Sequence, residues 1–275
     1  MPYGLYISAE GAQAQQKRME VIANNLANVD TTGFKRQLAT VQSRYAEAIE
    51  QGLDHPGSGS INDVGGGVQM IATQTDFSKS PLKQTGGRAD LAIDADGVFF
   101  KVLKGDQEML TRAGNFTVRS NGDLVTQQGY QVLSTEGRPV RVDPLQFWEI
   151  TPEGAMRQNG GATPLAMVTL ESLSQLVNVG ENLFEPLAPT VDVPLAGRGV
   201  KRGYLEASGV EPTREMMEMI ETSRAFEANV NLIRLQDQVL GTYINRAHEL
   251  TAKQTRPCGT DPADWRTGNR PRSKS

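Results

Sequence analysis

Between residues 213 and 250 an apolar side chain returns every seven positions: Met219, Phe226, Ile233, Leu240 and Ala247, flanked by Val230, Leu232, Val239, Tyr243 and Ile244. Seven residues are close to two helical turns, so this ladder lies along one face of a single helix. Glu211-Pro212 sets its start, since proline suits a first helical turn, and Thr213 and Glu215 complement the positive end of the helix dipole. Such a helix is roughly 57 Å long, whereas a compact globule of this chain length has a diameter near ~50 Å. It must either protrude or lie along another long helix.

The opposite end of the chain supplies a partner. Residues 3–29 read as helix, with Leu5, Ala12, Met19 and Leu26 at seven-residue spacing and Ser8, Gln15, Ile22 and Val29 as a second row. The stripe is apolar in its second half and small or polar in its first, so a partner should grip the later half most strongly. Asn24, Asn25 and Asn28 crowd the helix end. Asparagine is a poor helix-interior residue. These amides serve either as caps and bridges between neighbouring chains, or as the place where the helix frays into a turn over Asp30 to Gly33. Gly33 is expected at positive φ, dropping Phe34 onto the stripe near Val29. On that basis Gly33→Asn should be mildest, Gly33→Ala worse and Gly33→Val worst. Residues 36–50 are expected to form a second short helix, from Leu38, Val41, Tyr45 and Ile49 at three- and four-residue spacing. A Gly-, Ser- and Asp-rich loop then runs from Gly52 to Gly67.

From about Val68 to Tyr204 the period changes to two. Short strands are predicted at 98–102, 115–118, 124–126, 131–133, 138–142, 147–150 and 166–170, and Ser120-Asn-Gly-Asp123 is a hairpin signal. Short strands between Gly and Pro turns indicate an antiparallel β-domain. After Leu250 the chain becomes basic and almost free of apolar residues, the composition of a disordered tail. The expected division is 1–67, a helix with linker; 68–204, the β-rich domain; 205–250, the long helix; and 251–275, the tail. The fold class is α+β, with the terminal helices pairing as a coiled coil around a central antiparallel β-rich domain. An isolated pair of helices is marginal. Ordering the backbone costs about 1–2 kcal/mol per residue, while a seam side chain returns about 1.5–3 kcal/mol. Several copies side by side would bury the remaining apolar flanks.

Composition narrows the function. A net charge of −4 and a pI near 5.4 argue against nucleic-acid binding, which wants a clustered basic face. The single cysteine, Cys258, excludes an internal disulfide framework. No apolar run reaches the ~18 residues a membrane span needs, and the start lacks the features of a secretory signal. His55 and His248 have no Cys, Asp or Glu at metal-ligand spacing, and neither a phosphate-binding glycine loop nor a Gly-x-Ser-x-Gly elbow occurs. Asp90, Asp94, Asp96, Glu206 and Glu211 sit in turn-forming contexts and read as solvated acids. They do not read as the paired carboxylates of a wall-cleaving hydrolase. No enzyme activity, metal, cofactor, small-molecule substrate or nucleic acid is expected.

Five segments in order carry a resemblance: Ile22-Ala-Asn-Asn-Leu-Ala-Asn-Val-Asp-Thr-Thr-Gly-Phe-Lys-Arg36, Leu91 to Lys101, Thr111-Arg-Ala-Gly-Asn-Phe116, Gly203-Tyr-Leu-Glu-Ala-Ser208, and Met219 to Asn229 with its Arg224-Ala-Phe226-Glu227 pattern. Together they resemble the flagellar basal-body rod and hook proteins over roughly residues 1–250. The resemblance implies a rod subunit whose terminal helices form the inner wall of a hollow, torque-transmitting shaft across the periplasm. Its implied partners are copies of itself, other flagellar rod and hook proteins and the flagellar export apparatus, with export requiring no cleaved signal peptide. A hook-type subunit is the alternative inside the family; a cell-wall hydrolase or binding module is the alternative outside it. The candidate subunit-contact residues are Leu5, Met19, Ile22, Asn24, Asn25, Leu26, Asn28, Val29, Gly33 and Phe34 at the start, and Met219, Arg224, Phe226, Ile233 and Leu240 at the end. The 251–275 extension departs from the family pattern, whose members stop soon after the last helix.

Overall fold

A computed structural model describes residues 3–45, 49, 51–59 and 65–254. The tail residues 255–275, Cys258 among them, and the His248 side chain lie outside what is described. Two long helices occupy the ends: α1 (Tyr3–Ala27) and α2 (Pro212–Gln254). They run antiparallel, as their facing residues record. Gly4 lies against Gln236, Gly11 against Asn229, Arg18 near Glu218 and Asn25 against Glu215. Three of these four pairs have numbers summing to 240, a constant register.

The register shows which rows meet. On α2 the ladder Met219, Phe226, Ile233 and Leu240 is half-buried, as its spacing predicts, but the companion row along the seam is Glu215, Thr222, Asn229 and Gln236. On α1 the Ser8 and Ile22 row is buried, and it is joined by Gly4, Gly11, Arg18 and Asn25. Leu5, Met19, Leu26 and Val29 are half-buried beside it. Half of this seam is therefore polar or small. The small residues leave room for amides from the partner: a Cβ on Gly4 or Gly11 would stand 3.0 or 3.3 Å from the Gln236 or Asn229 amide nitrogen.

Over residues 37–43 the expected short helix at 36–50 is replaced by a strand, while Ile49 is helical. Residues Gln37–Ser43 form strand β1, paired antiparallel with β2 (Val68–Thr75) through a register shift at Thr40/Val41. Two causes override the three- and four-residue spacing. The Asn25 side chain takes up both the N–H and the C=O of Gln37 (2.9 and 2.8 Å), fixing an extended start, and Val41 and Tyr45, half of the supposed stripe, remain exposed. This hairpin packs on α1 and spans the expected boundary at 67/68.

The remaining strands build the β-rich region. β3 (Leu82–Gln84) pairs with β18 (Tyr204–Glu206), and β4 (Leu91–Ile93) with β17 (Val200–Arg202). A nine-stranded antiparallel sheet has the order β14 (Leu176–Gly180), β15 (Leu183–Pro186), β6 (Gln107–Thr111), β5 (Val98–Lys104), β9 (Gln131–Val132), β8 (Leu124–Val125), β7 (Thr117–Val118); β13 (Met167–Thr169) joins β5 and carries β16 (Val191–Asp192). β10 (Trp148–Ile150), β11 (Ala155–Gln158) and β12 (Gly161–Pro164) form a separate meander. Phe100, Val102, Leu124, Val132, Leu165 and Met167 lie at the centre of the main core. A smaller one gathers Phe99 and Phe184, with Phe77 edge-on to both rings.

The predicted hairpin at 120–123 is present in modified form. Arg119 N–H donates to Asp123 C=O, leaving a three-residue loop in which Gly122, not Asn121, has positive φ. The expected strand at 138–142 reduces to isolated bridges at Pro139 and Arg141. No described helix is long and apolar enough to cross a membrane.

Candidate functional site: the joint between helices and sheet

The chain passes between the helix pair and the β-rich region at one place, and the motifs singled out in the sequence converge there. Gly33 N–H donates to the Glu206 carbonyl (2.7 Å), Gly209 N–H to the Phe34 carbonyl (2.9 Å), Ala207 N–H to the Pro81 carbonyl (2.9 Å) and Asp76 N–H to the Arg36 carbonyl (2.8 Å). Three crossing segments are thus stitched main chain to main chain. Gly33 has φ +67°, as expected from the turn. The reason it must be glycine is different: a Cβ would sit 2.6–2.7 Å from backbone atoms of Arg112 and Ala113. Every side chain begins with that Cβ, so the geometry argues against the ranking that made Asn mildest. Gly114 is a second close approach, its virtual Cβ falling 1.7 Å from the Leu91 carbonyl oxygen.

Inside the joint lies an ion triad. Glu206, 1% exposed at its side chain, accepts from Lys35 Nζ at 2.6 Å and from Arg112 Nε at 2.8 Å. Lys35 also donates to the Ser78 carbonyl, and Arg112 spends its remaining donors on the carbonyls of Ile93, Ala95 and Val98. Burial pushes the Lys35 ammonium below its ordinary pKa, while Glu206 pulls it back up. Reading Glu206 as a solvated acid is thus corrected: it is the counter-ion of two buried cations. Asp94 and Asp96 do lie near the surface, paired with Lys201 and Lys79.

A second cluster fixes the start of α2. Glu215, fully buried, accepts from Arg36 Nε (2.5 Å) and from Asn25 Nδ2 (3.3 Å), and Arg36 also reaches Glu218 (3.0 Å). Burial opposes the charge on Arg36, but Glu215 and Glu218 outweigh it and raise its pKa. The three asparagines separate by role. Asn25 bridges α1, β1 and α2. Asn28 caps the helix end, donating to the Asn24 carbonyl and accepting from Thr31, and Asn24 is exposed. Phe34 is buried. Arg224 is exposed and forms no ion pair among the described residues. Lys35, Arg36, Arg112, Glu206, Glu215 and Glu218 stood inside or beside the quoted motifs, but with no pairing assigned to them. We predict that Asn25→Ala lowers stability by about 1–3 kcal/mol, the cost of stranding buried hydrogen-bonding groups. Urea unfolding would measure it, and a change under a few tenths of that range would mean the Asn25 amide does not hold β1.

Residues 5–35 match the family described as "Flagella basal body rod protein", 92–180 the "Flagellar hook protein FlgE/F/G D1 domain" and 201–247 the "Flagellar basal body rod FlgEFG protein C-terminal". The flagellar basal-body rod protein FlgG of Bacillus subtilis is 32% identical over 260 residues, covering 88% of this chain and 97% of that protein. The chain belongs to the flagellar basal-body rod protein family. The rod protein FlgF of Caulobacter vibrioides is 33% identical over 230 residues (83% of this chain, 91% of the relative), and FlgG of Borreliella burgdorferi 33% over 268 residues (88% and 97%). The first match ends at Lys35 and the last begins at Lys201, so the joint sits where the family's terminal segments meet its central one.

Proposed function

We propose that this rod-family chain is a structural, non-catalytic subunit of a hollow shaft, assembling through its two terminal helices with copies of itself and with other rod proteins, and transmitting torque. The division into axial and outer parts follows the joint, and heptad rows on both helices suit coiled-coil winding. A location spanning the periplasm, and export through the flagellar apparatus without a cleaved signal, belong to the same reading. The relatives' names favour rod over hook.

The observation that carries this reading is a second row on α2. Beside the seam to α1, Ala225, Ala228, Leu232, Leu235 and Val239 repeat at alternating three- and four-residue steps, and Leu232, Leu235 and Val239 are exposed. α2 also runs 18 residues past Gln236, the residue facing Gly4, with Tyr243 and Ile244 exposed on the overhang. An exposed apolar row of this length suits a neighbouring helix. Leu232→Asp with Leu235→Asp is expected to leave the monomer's stability within about 1 kcal/mol, as exposed substitutions do, while abolishing rods and swimming. Phe226→Asp or Ile233→Asp should instead weaken the chain itself by facing α1. Counting basal bodies by electron microscopy beside thermal unfolding checks both, and normal swimming of the Leu232/Leu235 variant would remove this row from assembly.

A further inference from the structure

We infer that Asn159 is a site of spontaneous covalent modification: in the folded chain its side-chain amide is lost through attack by the main-chain nitrogen of Gly160, leaving aspartate or isoaspartate in the β11–β12 turn. Asparagine is among the thermally labile residues, and the step is easiest before glycine, whose nitrogen no side chain shields. Two asparagines of the chain precede glycine, Asn121 and Asn159. The sequence treats them alike, and the structure does not.

At 121–123 both reacting groups are held. Asn121 Nδ2 donates to Asp123 Oδ2 (2.8 Å), and its Oδ1 accepts from the Asp123 N–H (3.1 Å). The Gly122 N–H, which would have to become the nucleophile, donates to the Arg119 carbonyl (2.9 Å). Gly122 is also buried, and a Cβ there would stand 2.5 Å from the Val142 carbonyl oxygen, so the segment has little room to close a ring. At 159–160 these restraints are missing. Asn159 (φ +51°) and Gly160 (φ +76°) are the two central residues of a type I′ hairpin turn joining Gln158 to Gly161. Both are exposed, and neither the Asn159 side chain nor the Gly160 N–H has a hydrogen-bond partner among the described residues. No atom lies within 4 Å of the position a Gly160 Cβ would take.

The reaction needs only water. The Gly160 nitrogen bonds to Asn159 Cγ, the Cγ–Nδ2 bond breaks, and the amide leaves as ammonia with the proton given up by Gly160. Water then opens the cyclic imide. Cleavage of the new bond gives aspartate; cleavage of the original peptide bond leaves the chain running through Cγ, as isoaspartate. Either product adds a negative charge. Isoaspartate also adds a main-chain atom to a turn whose geometry fixes the strand register, so β12, the outer strand of its meander, should lose its pairing with β11.

The test holds the purified full-length chain in mildly alkaline buffer, folded and in urea, and follows both sites by peptide mass mapping, with isoaspartate read by enzymatic methyl-ester labelling. In urea the two Asn-Gly sites should react alike. In the folded chain Asn159 should lose its amide on the same time scale as in urea, while Asn121 reacts at least about tenfold more slowly, a barrier difference of about 1.4 kcal/mol. Comparable rates at the two sites in the folded chain would overturn the assignment. So would an Asn159 amide that survives in the folded chain for the time over which urea-unfolded chain loses it.

Discussion

Replacing Glu206 by glutamine is expected to destabilise the folded chain by about 3–5 kcal/mol, the cost of leaving buried charge without its partner. The size follows from the arrangement at the joint. One carboxylate neutralises Lys35 and Arg112 at 2.6 and 2.8 Å, and all three side chains are at most 3% exposed. Glutamine keeps the shape but strands two cations together in low dielectric, where like charges repel. Lys35→Met should cost less, because the Glu206–Arg112 pair survives it. Urea unfolding of both variants gives the comparison. A Glu206→Gln loss under about 1 kcal/mol, or a larger loss for Lys35→Met, would show that water or a rearrangement solvates the triad.

Substitution at Gly33 ranks second. Alanine, asparagine and valine each place a Cβ into the Arg112–Ala113 backbone at a φ of +67°, so all three should cost several times the ~1 kcal/mol usually charged to an alanine in a left-handed turn. Asparagine, which ordinarily tolerates such angles, should gain little over alanine. Motility and rod counts for the three variants would check this in cells, and thermal unfolding in the monomer. Near-normal behaviour of Gly33→Asn would mean the segment shifts away from Arg112.

What the sequence disclosed divides by range. The helices were legible because their signal repeats for tens of residues, and Met219, Phe226, Ile233 and Leu240 sit along the seam their spacing indicates. The hairpin at 120–123 was legible because turn chemistry is local. Residues 37–43 were misread because a helical spacing of four apolar residues competed with a tertiary bond from Asn25, twelve positions away. The polar seam row of Thr222, Asn229 and Gln236 was hidden because an apolar ladder says nothing about its companions. The ion pairs were the least accessible: Lys35 and Glu206 are 171 residues apart, and Arg36 and Glu215 are 179 apart. No periodicity links residues at such separations. The motifs held those residues but gave no pairing. The β14–β15 turn was missed for a similar reason, since Glu181 and Asn182 both take positive φ without a glycine, and Asn182 is held by a bond to the Thr32 carbonyl.

The joint has a mechanical meaning. In the proposed shaft, a twisting load on the β-rich region reaches the helix pair through the crossing segments at 33–36, 76–82 and 206–209, which are tied to one another by main-chain bonds and by the buried Glu206. Charges held away from water keep their grip when salt screens the surface. On that reading the connection acts as a weld, not a universal joint, and compliance is left to sliding between neighbouring copies.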